Sequence, residues 1–130
     1  MGSKLQPVAL SVLSLVFAVV GCLGFFAPGV LFEPLGLQLE SSAVLAELRA
    51  AYGGLFCTLA VAFGVGAARA EHRASALLLA VLVLGGFVLG RLISWGMDGA
   101  PTNPVAIANL IAESVGFVAA LLLLRADSSR

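Results

Sequence analysis

A chain of 130 residues that is 61% hydrophobic and only 11% charged, with a mean hydropathy of +1.11, carries more apolar surface than a soluble domain of that length can bury. Seven basic residues balance seven acidic ones, so no cationic stripe exists to neutralise phosphates, and nucleic acid is not an expected partner. Cys22 and Cys57 lie in apolar runs with no CxxC spacing and no neighbouring histidine, which assigns them to packing rather than to a zinc or redox motif.

The first apolar stretch, Leu5 to Ala27, follows Lys4 in the manner of a secretory signal. It is longer than a typical signal core, and Ala27 is a poor cleavage site because Pro28 follows it and bulky Phe25 stands at the third position back. It therefore reads as an uncleaved membrane span. The next segment, Pro28 to Glu40, holds Val30, Leu31, Phe32, Leu35, Leu37 and Leu39 but is broken by Pro34 and Gly36. Too apolar for a free loop and too broken for a span, it is expected to lie along the membrane interface or to fold over the bundle.

A second span runs from about Ala43 to Ala68, with Ser41 and Ser42 as capping candidates. The polar connection Arg69 to Arg73 contains the lone His72, whose expected role is a solvated side chain. A third span covers Ala74 to Gly96 and is ended by Pro101, and a fourth covers Val105 to Leu124. In front of the fourth, Asn103-Pro104 sets a capping side chain before a proline suited to a first helical turn. Each stretch has the roughly 20 residues that cross about 30 Å of hydrocarbon at helical rise. Only a helix satisfies the backbone there. The fold expected for residues 1–130 is therefore a single all-α domain, a bundle of four transmembrane helices with consecutive helices antiparallel.

Lys4, Arg69, Arg73, Arg125 and Arg130 all fall on one side if the spans alternate, whereas the opposite loops hold Glu33, Glu40 and Asp98 and no basic residue. That asymmetry predicts cytoplasmic N and C termini. Small residues recur where helices would touch: Ser14, Ala18 and Gly21 in the first span, Ala50, Gly53, Gly54 and Thr58 in the second, and Gly86-xxx-Gly90 in the third. Such positions let backbones approach where lipid gives no hydrophobic drive for association, within one chain or between two copies.

Four charges remain inside the spans. Counted from the outer helix ends, Glu47 lies about 6 Å deep, Arg49 about 9 Å, Arg91 about 10 Å and Glu113 about 12 Å. Charges at such depth face the interior and pair, and they mark a functional site by default. Glu47 and Arg49, two residues apart, point to nearly opposite faces of their helix, so one of them must look elsewhere, and the shallower Glu47 reaches the interface more easily. Tyr52 one turn beyond Arg49, Ser94 and Trp95 one turn beyond Arg91, and Asn109 one turn before Glu113 complete an expected outward-opening polar pocket.

The run Glu47-Leu-Arg49-Ala-Ala-Tyr52-Gly53-Gly54, the pair Gly90-Arg91 and Glu113 together resemble a family of small four-helix bacterial membrane proteins classed as a domain of unknown function. The likeness covers nearly the whole chain, including the Pro-Gly and Leu-Gly-Leu elements between the first two spans. It implies a bundle in the bacterial cytoplasmic membrane and carries no reaction over. Three functional classes are compatible with these residues. A buried Arg/Glu network can fix helix register in a small structural or accessory subunit of a larger membrane complex or homodimer. The same cluster can bind a lipid, quinone-like or anionic amphiphile through Arg49 and Arg91, with a transport variant in which Glu113 takes up a proton. An enzyme would have only Glu113 or Tyr52 for acid–base work, with no nucleophile–base spacing and no metal-ligand set. No metal and no cofactor is expected.

Overall fold

Residues 2–128 are described by a computed structural model. Its six α-helices are α1 (Gly2–Phe26), α2 (Pro28–Phe32), α3 (Ser42–Leu48), α4 (Phe56–Ala68), α5 (Arg73–Asp98) and α6 (Pro104–Ser128). A π-helical segment, Arg49–Leu55, joins α3 to α4 without a break. Four stretches are long and apolar enough to cross a membrane, namely Lys4–Phe26, Ser42–Ala68, Ala70–Asp98 and Pro104–Ala126. The chain is a four-helix membrane protein on that basis.

Two hairpin-like pairs make the bundle: α1 packs along α4, α5 packs along α6, and α4 against α5 joins them. The core is built by Leu10 and Phe17 of α1, Leu59, Ala60 and Phe63 of α4, and Ala76, Leu77, Ala80 and Leu84 of α5. Among the described residues of α6 only Ala120 is fully drawn in, which leaves that helix at the periphery. Phe17 stacks on Phe56 with ring centroids 4.9 Å apart and meets Phe63 edge-on at 5.2 Å. Offset and edge-on rings gain more than their area alone gives.

Polar side chains act as ties between these helices. The Ser14 hydroxyl donates to the Ala60 carbonyl at 2.8 Å, and the Gln6 amide donates to the Leu123 carbonyl at 3.1 Å. Arg73 donates to the Ala67 carbonyl at 3.3 Å, placing a cation where the last carbonyls of α4 lack partners. The helix order puts Lys4, Arg69, Arg73 and Arg125 at the end that carries the termini; Arg130 lies outside the described residues.

At the opposite, distal end the segment after α1 folds over the bundle. α2 is followed by a 3-10 turn, Glu33–Leu35, and a reversal at Gly36 with φ of 86°, a left-handed value that glycine adopts without strain. Phe32 is buried and stands edge-on to Tyr52 at 4.6 Å. Asn103 holds this strap from the other side by donating to the Pro34 carbonyl at 2.8 Å. The same residue caps α6, its carbonyl oxygen accepting from the backbone N–H groups of Val105 at 2.8 Å and Ala106 at 3.4 Å. Ser41 occupies the N-cap position of α3, but its side chain makes no capping hydrogen bond; its backbone carbonyl accepts from Leu45 instead.

The π segment depends on two glycines. A Cβ on Gly24 would lie 2.7 Å from the Gly53 nitrogen, and one on Gly53 would lie 2.7 Å from the Phe25 ring. Hydrogen on both sides lets the wide turn seat directly on α1. The Thr58 hydroxyl donates to the Gly54 carbonyl at 2.9 Å and so satisfies an acceptor of that turn. Thr58 and Ala50 are exposed, so the contact within one chain that the sequence allowed is not made there. In the third span a side chain added at Gly86 or Gly90 would meet open space, so of the two kinds of contact the sequence allowed they make none within this chain, whereas a Cβ on Gly85 would lie 2.9 Å from the Phe117 ring. A shift of one residue turns a helix by about 100°, which carries the Gly86-xxx-Gly90 face away from the bundle.

Candidate functional site

The helical phase of α5 and α6 brings two of the four intramembrane charges together. Arg91 Nε donates to Glu113 Oε2 at 2.5 Å and Arg91 Nη2 to Glu113 Oε1 at 2.8 Å. This is the parallel, two-pronged geometry in which guanidinium and carboxylate bind most strongly. The arginine side chain keeps 36% of its accessible surface and the glutamate 17%, so the carboxylate is the more enclosed partner.

Arg49 does not join that pair. Its Nε donates to the Phe25 carbonyl at 3.2 Å, one of the carbonyls left without an intrahelical partner where α1 stops at Phe26. Close seating of the π segment on α1 supplies the physical reason, because it presents Arg49 to the end of that helix. Glu47, on α3, is exposed. The expected four-charge layer therefore resolves into one ion pair between α5 and α6, one arginine-to-carbonyl tie between the π segment and α1, and one exposed carboxylate.

Tyr52 is half-buried and spends its ring in packing, between Phe32 and Phe56, the latter stacked at 5.3 Å. Phe56 in turn stacks on Phe87 of α5 at 5.8 Å, and Tyr52 lies within electrostatic reach of Arg91. A continuous run of aromatic rings thus leads from Phe32 of the strap through Tyr52 and Phe56 to Phe87 of α5. Asn109 is half-buried on α6, one turn from Glu113, and does not contribute to the two hydrogen bonds of the pair.

Beside the pair, a recess of about 230 Å³ opens between α5 and α6. Arg91, Ser94 and Trp95 line it from α5, and Pro101, Ala106 and Leu110 line it from the connection and α6. Trp95 is 46% exposed, and the Ser94 hydroxyl donates to Asp98 Oδ2 at 3.1 Å. Ala106 and Leu110 were not singled out from the sequence, and Asp98 was named there only as an acidic residue of the outer side. Asp98 was readable as a partner one turn beyond Ser94 on the same face, but the apolar wall from α6 had no local signal.

A larger recess, about 430 Å³, runs between α1 and α4 and is lined by small residues including Ser11, Ala18, Gly64 and Ala67. Within it the Ser14 hydroxyl is committed to Ala60. Cys22 of α1 and Cys57 of α4, far apart in sequence, are brought near each other by the packing of α1 on α4. Among the described residues no group of three or more His, Cys, Asp or Glu side chains could hold a metal ion.

No curated protein and no solved structure matches this chain. A family model described as a domain of unknown function (DUF4345) matches residues 5–124. With nearly every span and the ion pair inside that match, the chain belongs to the DUF4345 family.

Proposed function

We propose that this chain is a small structural or accessory subunit of a larger assembly in a bacterial cytoplasmic membrane, or of its own homodimer, with both termini on the cytoplasmic side. The observation that carries this reading is the uncovered Gly86-xxx-Gly90 face of α5, where a Cβ added at either glycine would meet nothing within 4 Å. A small-xxx-small face permits close helix approach, the main source of association energy in lipid. Supporting it, polar side chains of the spans are committed to holding helices together: Ser14 to Ala60, Arg91 to Glu113 and, from an exposed position, Arg49 to Phe25. The basic residues at the terminus-bearing end support the orientation.

The test is native mass spectrometry of protein released in a mild detergent, comparing the wild type with a Gly86→Leu, Gly90→Leu double variant. Open space at both positions means the fold tolerates the change. An assembly mass in the wild type that is lost in the variant supports the subunit reading. A bare monomer in both overturns it.

A second reading is favoured by one observation, the recess beside Arg91. In that reading the distal end of the α5/α6 pair binds the head of an amphipathic molecule. It requires a probe that occupies the recess and depends on Arg91.

A further inference from the structure

The charge balance around the recess selects among the heads it could take. Arg91 is matched one-to-one by Glu113, while the exposed Asp98 bonds to Ser94 outside the lining of the recess. The pair is neutral, so an entering phosphate or carboxylate would find no uncompensated positive charge in the recess. Burying an uncompensated anion there is costly. Hydrogen-bond donors are nevertheless left over. A guanidinium carries five N–H groups and Glu113 engages two of them. Lipid tails cannot satisfy the remaining three.

Size and surroundings narrow the choice further. About 230 Å³ is below the usual range of roughly 300–1,000 Å³ for a whole drug-sized ligand, so the space fits a head and not an entire molecule. The half-exposed indole of Trp95 offers a flat apolar face suited to a planar group. Leu92, Ile107 and Ile111 on the same two helices are exposed, a surface that receives an apolar tail.

From these features, and resting on the second reading above, we propose that the recess receives the carbonyl oxygen of a neutral head group borne on an apolar tail, with Arg91 as donor and Trp95 as the packing face. A quinone ring and the ester carbonyl of a neutral lipid are the two sources of that chemistry.

Trp95 is the only tryptophan in the chain, so its fluorescence reports on the recess alone. The protein is titrated in a maltoside detergent, which carries no carbonyl, with a decyl-tailed benzoquinone. Saturable quenching is expected in the wild type. An Arg91→Leu variant should bind at least tenfold more weakly. Ala106→Phe, which fills the recess from α6 and leaves the ion pair in place, should do the same and keeps the test decisive if Arg91→Leu does not fold. Displacement of the quinone by dioctanoylglycerol would assign the site to carbonyl lipids generally, and failure to displace would assign it to quinones; either supports the proposal. Linear quenching that is equal in the wild type and in Ala106→Phe overturns it. If decyl phosphate binds in an Arg91-dependent way while the carbonyl probes do not, the charge argument falls and the binding reading stands. If no probe binds, both fall.

Discussion

Replacing either partner of the Arg91–Glu113 pair by leucine removes the same two hydrogen bonds but strands different charges. Arg91→Leu leaves the carboxylate, which keeps only 17% of its surface, without its donor. The cost of orphaning a buried charge is about 3 kcal/mol. Glu113→Leu strands the guanidinium, which at 36% exposure and on a long stem can turn toward the membrane surface, so solvent screening limits the loss to about 1–2 kcal/mol. The double leucine variant leaves no orphan and should fall within about 1 kcal/mol of the wild type. The cycle therefore predicts a coupling of about 3 kcal/mol. Reversible unfolding in mixed detergent micelles, followed by Trp95 fluorescence and by helical circular dichroism, measures all four proteins. Two single losses that simply add in the double variant, or a Glu113→Leu loss larger than that of Arg91→Leu, would refute the reasoning.

Three further substitutions test other joints. Gly24→Ala drives a methyl group into the backbone of the π segment, 2.7 Å from the Gly53 nitrogen, and should cost about 1–3 kcal/mol, read as a lower unfolding midpoint in detergent. Asn103→Ala removes the cap of α6 together with the hold on Pro34; a loss of about 1–2 kcal/mol and faster amide exchange at both Val105 and Leu37 are expected, and exchange that rises at only one of them contradicts the shared role. Arg49→Leu gives up a single bond to a carbonyl from an exposed side chain, so its unfolding midpoint should move clearly less than that of Arg91→Leu.

The four spans were legible because composition and length leave lipid-embedded chain one conformation, and Asn103-Pro104 announces the start of α6 within three residues. The two-pronged pair was legible in part: intramembrane charges must find each other, but which ones meet depends on helix rotation. Arg49 was drawn away by the end of α1, a partner 24 residues distant in sequence. The π segment had no local signature, since its wide turn is allowed by Gly24 across the interface as much as by its own Gly53. The glycines of α5 carried the same ambiguity. Gly85, Gly86 and Gly90 are equivalent as letters, and only the position of Phe117 distinguishes the one that is covered.

Asn103 uses one carboxamide for two tasks, its oxygen holding the first turn of α6 and its nitrogen holding the strap at Pro34. The strap cannot lift without tugging on a helix start, and α6 is a stiff rod of about 15 Å between Asn103 and Glu113. A molecule that grips residues 28–40 from outside would therefore work a lever whose far end is the carboxylate clasped by Arg91.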